Sequence, residues 1–155
     1  MNNYGPWHTE DFDDLSWHDN HVHGFRLDNF SSEIGAADLI LDIDHILKWE
    51  KAGSEFQFTV CPATLQFHEA FGLKLMLDYA TPTIGMCAFS IDGIERVPLI
   101  SPNGYRSFRW RIPINCPEGH LEFEAPRFTL ALTGMPVTQS QQSLSSEKRR
   151  GLKTV

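Results

Sequence analysis

Five of the seven histidines in this 155-residue chain fall within the first 45 residues, and several stand beside aspartates. In His21-Val22-His23 the spacing of two puts both imidazoles on one face of a strand, about 7 Å apart along the backbone. Two such nitrogens can converge on one zinc ion at roughly 2 Å each. Asp42-Ile43-Asp44 places two carboxylates on one face in the same way. If the two segments pair, a mixed imidazole and carboxylate metal site becomes geometrically possible, with His18 or His68 as further ligands. The candidate metal ligands are therefore His18, His21, His23, Asp42, Asp44 and His68, zinc is the candidate cofactor, and the chemistry would be metal binding or metal-dependent hydrolysis. The same residues have a second reading. Asp42 and Asp44 alternate with Leu41 and Ile43, as the solvent face of an amphipathic strand does. His18-Asp19 reads as a hydrogen-bonded corner. His45 falls on the Leu41/Ile43 face and reads as a buried, hydrogen-bonded histidine.

Other catalytic arrangements have little support, and no residue is assigned a catalytic or cofactor-binding role. There is no G-x-S-x-G elbow and no phosphate-cradling glycine loop. Glu122 and Glu124 share a strand face, but Arg109 and Arg111 form a matching basic row, so cross-strand ion pairs account for both. Cys61, Cys87 and Cys116 are odd in number and widely spaced, which reads as reduced core thiols rather than a disulfide framework.

The elements that must position these side chains are strands. Leu39/Leu41/Ile43, Phe56/Phe58/Val60, Leu65/Phe67, Leu73/Leu75/Leu77, Phe108/Trp110/Ile112/Ile114 and Leu121/Phe123 each alternate with other residues at period two, the signature of half-buried strands. Asp92-Gly93 predicts a hairpin between Phe89–Ile91 and Ile94–Val97. Ser101–Gly104 and Pro117–Gly119 predict turns. Asp44–Lys51 is the one segment expected to form a short helix, stopped by Gly53. Together these predict an all-β protein, an antiparallel meander closing as a sandwich or an up-and-down barrel, with at most one short helix. Residues 1–14 read as a loose N-terminal arm in which Trp7 could dock. Residues 15–135 read as a single β domain, and 136–155 as a disordered polar tail. The tryptophans and phenylalanines could line a ligand cavity if the sheet closes, but their alternation reads as ordinary core.

The net charge of −7 is unevenly placed. Residues 1–50 carry eleven acidic and two basic side chains, whereas residues 136–155 carry one and four. An acidic first third argues against nucleic acid as a partner and for a basic protein. No apolar run reaches the roughly 18 residues of a membrane helix, and the polar, acidic start is unlike a secretory signal, so no membrane partner is expected and the expected location is cytoplasmic.

Ser16-Trp17-His18-Asp19-Asn20, His23-Gly24, Leu41-Asp42-Ile43-Asp44-His45-Ile46 with Trp49, and Pro62-Ala63-Thr64 with Phe67-His68 together resemble blocks from a family of uncharacterised small bacterial proteins, over about Leu15 to Leu130. That resemblance implies no catalytic residue. An acidic start followed by short alternating strands is similar in plan to bacterial immunity proteins, which bind and neutralise toxins. Two functions follow as expectations. One is a non-catalytic binding protein whose acidic N-terminal surface takes a basic protein partner. The other is a metal-binding protein or metal-dependent hydrolase built on the histidine–aspartate cluster.

Overall fold

In a computed structural model of the chain, which describes residues 4–80 and 85–153, ten strands form one antiparallel sheet. The strands are β1 (Trp7–His8), β2 (His21–Ser31), β3 (Ala36–Ala52), β4 (Glu55–Asp78), β5 (Phe89–Ile91), β6 (Glu95–Ile100), β7 (Arg106–Cys116), β8 (Glu118–Ala125), β9 (Arg127–Leu132) and β10 (Val137–Gln139). A 3-10 turn spans Thr9–Asp14, and one α-helix, α1, spans Ser146–Lys153. Among the described residues no helix is long and apolar enough to cross a membrane.

The pairings close on themselves: β2 pairs β3, β3 pairs β4, β4 pairs β8, β8 pairs β7, β7 pairs β5, and β5 returns to β2. The result is a small barrel, but not a simple up-and-down one, because the chain crosses from β4 to β5 and β8 then fills the place beside β4. Small barrels are filled by their own side chains. Here Leu39, Leu41, Ile43, Leu65, Phe67, Trp110, Ile112, Leu121 and Phe123 occupy the interior. The Phe67 ring lies 5.0 Å from that of Trp110 and 4.6 Å from that of Phe123. The indole N–H of Trp110 donates to the Ala125 carbonyl at 2.9 Å. The aromatic residues inside the sheet are core.

Three alternating segments of the sequence merge into the single long strand β4. It can coil round the barrel because it is bulged. Glu69 has φ 54° and Gly72 has φ 65°, and the register shifts near both, which bends a strand and increases its twist. The first two thirds of β4, to Ala70, pair β3, and the last third, from Phe71, pairs β8. Where β4 meets β8 the backbones are close: a Cβ on Gly119 would lie 2.1 Å from the Met76 carbonyl oxygen.

Several local expectations are corrected. The segment Asp44–Lys51 is strand, not helix: it pairs with β4 from Asp44 opposite Pro62 to Lys51 opposite Phe56, and this long ladder overrides a weak local helix pattern. Asp92-Gly93 does not join a hairpin. Ile91 lies opposite Ile114 and Glu95 opposite Arg111, so β5 and β6 follow one another along the same partner, β7. The N-terminal residues are not a loose arm. Trp7 pairs with Leu130, and Phe12 packs between Trp17, Trp110 and Phe128. Nor are residues 136–153 a structureless tail: β10 pairs β4, and Leu144 and Arg149 are buried. Residues 154 and 155 lie outside the described residues. The turn at Ser101–Gly104 joins β6 to β7 as expected, whereas Pro117 alone separates β7 from β8, with Glu118 and Gly119 already in the strand. The two charge rows form Arg109–Glu124, at 3.1 Å, and Arg111–Glu122.

The histidine–aspartate cluster and an acidic cavity

The sequence blocks singled out above meet in register. His21 lies opposite Asp44 on β3, and Asp44 lies opposite Pro62 on β4. The corner before β2 fixes this arrangement. Asp19 adopts φ 64°, a left-handed conformation that short Asp side chains tolerate. His18 Nδ1 lies 2.9 Å from Asp19 Oδ2, and the Asp19 carboxylate accepts from Asn115 Nδ2 at 3.1 Å and Gln142 Nε2 at 2.9 Å. Asn20, fully buried, then accepts the Ile46 N–H at 3.1 Å on its Oδ1 and donates its Nδ2 to His45 Nδ1 at 3.1 Å.

His21, His23, Asp42 and Asp44 do share the outer face of β2 and β3, yet Asp44 is wholly buried rather than solvated. What covers it is the C-terminal segment. Asp44 Oδ2 accepts from His23 Nε2 at 2.7 Å and from the Leu144 N–H at 2.8 Å. Asp44 Oδ1 accepts from Arg149, whose other terminal nitrogen donates to Asp42. A carboxylate acceptor requires that His23 carries its proton on Nε2. Arg149 thus stands where a cation would have to sit, and its planar fork suits two adjacent carboxylates. Among the described residues no group of three or more His, Cys, Asp or Glu side chains is arranged to hold a metal ion.

The remaining candidate ligands lie elsewhere. His21 Nδ1 donates to the Asp19 carbonyl at 2.9 Å. Burial lowers its pKa, the Asp19 carbonyl partly offsets this, and the neighbouring His23 lowers it further. His18 is exposed and reaches Asp92 at 3.5 Å. His68 is on β4, with Nε2 2.8 Å from Thr129 Oγ1, and burial together with Arg127 lowers its pKa. Its aspartate neighbour is Asp38, at 4.0 Å. Asp38 accepts from Asn29 at 2.7 Å, Gln66 at 2.8 Å and the Glu69 N–H at 3.0 Å. Burial acts to raise the Asp38 pKa, but these hydrogen bonds outweigh it and hold the carboxyl below its usual range. The group organises the bulge in β4. Of the thiols, only Cys61 is buried, with its pKa raised by that burial; Cys87 and Cys116 are exposed.

A second constellation was not picked out from the sequence. The 3-10 turn Thr9–Asp14 carries Glu10, Asp11, Asp13 and Asp14 within six residues. Phe12 anchors it in the core, and Arg96 donates to the Thr9 carbonyl at 3.0 Å while lying 4.3 Å over the Phe12 ring. Among the described residues none of the four carboxylates enters an ion pair. Between this turn and β3 lies a cavity of about 750 Å³, lined in part by Trp7, Asp11, Asp14, His45, Lys48 and Thr59. The dense run of acids was visible in the sequence, but its rigid mounting needed the tertiary place of Phe12. No family model, no curated protein and no solved structure matches this chain.

Proposed function

We propose that this protein is a non-catalytic, cytoplasmic binding protein that offers the acidic turn Thr9–Asp14 to a basic protein partner, in keeping with its likeness in plan to bacterial immunity proteins. One observation carries the reading: four carboxylates stand on a six-residue turn pinned to the barrel by Phe12, without a counter-ion among the described residues. Like charges so closely spaced repel one another, so a cationic partner would relieve the repulsion while gaining its own attraction. Several of the chain's other acids are used internally: Asp42 and Asp44 by Arg149, Asp38 by its hydrogen bonds, Glu122 and Glu124 by arginines. The metal-dependent alternative is less well supported, because a metal at His23, Asp42 and Asp44 would have to displace Arg149.

The test is titration with poly-L-lysine, with poly-L-glutamate as the control. The protein should bind polylysine, and the variant carrying Glu10→Lys, Asp13→Lys and Asp14→Lys should lose that binding while keeping its melting temperature, since exposed substitutions are nearly neutral for stability. Asp11 is left in place because it accepts the His8 N–H at 2.8 Å. Equal binding by both proteins would overturn the reading.

A further inference from the structure

We infer that the cavity between the 3-10 turn and β3 is the anchor point of that surface, taking one arginine-bearing segment of a basic partner: the guanidinium between Asp14, Asp11 and the Trp7 ring, and the backbone carbonyl of the segment on His45 Nε2. The inference rests on the proposed binding role and gives it a place and a side chain.

Three features of the cavity specify the occupant. The first is an unused donor. His45 is 97% covered, being 3% exposed, and its Nδ1 is taken by the Asn20 amide. An amide N–H can only donate, so Nδ1 accepts and the ring proton sits on Nε2. Among the described residues Nε2 has no hydrogen-bond partner, and the ring lines the cavity. This N–H is not one of the fully buried polar atoms that lack a partner; it opens onto the cavity, where it offers a donor to an acceptor. The second is the sign of the charge. Asp11 and Asp14 line the same cavity, which disfavours a carboxylate or phosphate as that acceptor and favours a neutral carbonyl attached to a cation. Lys48, the one basic lining residue, lies 3.7 Å from Glu50, so a carboxylate of the chain already attends it. The third is the aromatic wall. Trp7 is only partly buried, and its ring stands edge-on to His45 at 5.5 Å. An indole face attracts guanidinium more than it does a neutral side chain. A carbonyl acceptor, a cation and a planar group that stacks are combined in an arginine residue within a peptide.

The experiment is a nuclear magnetic resonance titration of the whole chain with acetyl-Gly-Arg-Gly-amide, with the citrulline counterpart, which keeps the shape and removes the charge. The arginine peptide should shift the Trp7 indole, the His45 ring nitrogens and the Thr59 amide. The citrulline peptide should bind about tenfold more weakly, from the lost ion pair and cation–π contact. Asp14→Asn should weaken the arginine peptide to the citrulline level, and this exposed residue can be changed without disturbing the core. His45→Gln should weaken both peptides alike. Shifts confined to the Glu10 and Asp13 amides would overturn the cavity while leaving the acidic-surface reading intact. Equal affinity for both peptides would mean the cavity takes a neutral ligand and would also overturn it. No shift anywhere at low salt, together with no binding of polylysine, would overturn both.

Discussion

His45 shows how one side chain ties stability to the proposed site. Its burial among Trp7, Trp17 and Asn20 holds its pKa down at about 4, against about 6.5 in an unfolded chain. Between those values the unfolded state binds a proton that the folded state refuses. Stability is therefore full above pH 6.5 and is lost as the pH falls towards 4, by up to about 3 kcal/mol. His21 and His68, also lowered by burial, and Asp38, held low by its hydrogen bonds, add in the same direction. Denaturant unfolding at about pH 7 and about pH 5 should show the loss, and His45→Gln should show a smaller one. A profile unchanged by that substitution would place the titration elsewhere. The burial of His45 was legible from its phase with Leu41 and Ile43. The burial of Asp44 was not, because alternation reports which face a residue is on but not what covers that face from outside the barrel.

Among the elements, the C-terminal segment departs most from its composition. Ser, Gln and basic residues offer little to bury, yet Leu144 is covered, and Arg149, 5% exposed, reaches Asp42 and Asp44. Contacts to residues more than a hundred positions away in sequence, Arg149 with Asp42 and Asp44 and Gln142 with Asp19, hold the segment beside the β10–β4 pairing, and no local pattern encodes such contacts. Their energetics predict an unusual order. Arg149→Met should leave Asp44 covered without its counter-charge and cost about 3–5 kcal/mol. Deleting residues 140–155 returns Asp44 to water and should cost less than that point change. Chemical denaturation of the two variants checks the order; a deletion costlier than Arg149→Met would mean that apolar docking, not the ion pair, holds the segment. The strands were the most legible elements, because period two survives in Leu39–Ile43, Phe108–Ile114 and Leu121–Phe123. What could not be read was that β4 is one strand: the alternation changes phase after Val60, where Val60, Cys61 and Pro62 are all buried, and is interrupted again by the bulges at Glu69 and Gly72, so the sequence shows three short strands where there is one long one.

At the scale of the whole molecule, the barrel sorts its charge. The interior is apolar, Arg149 of the basic C-terminal segment is spent on Asp42 and Asp44, and the acids of the 3-10 turn remain outward, pinned to the barrel by Phe12. An all-β fold was legible from the sequence, but closure of the ring was not, because it depends on the two-residue pairing of β2 with β5, His21 opposite Ser90 and Val22 opposite Phe89. The functional reading depends on the sorted charge, and electrostatic steering has a kinetic signature: association with an oppositely charged partner is fast at low salt and slows steeply as salt screens the field. The most direct measurement is therefore the association rate of the protein with poly-L-lysine across a range of ionic strength, beside the variant with Glu10, Asp13 and Asp14 changed to lysine. The account predicts a steep fall with salt for the unaltered protein and slow, nearly salt-independent association for the variant; the same steep dependence in both would contradict it, because the attraction would then arise from another part of the surface.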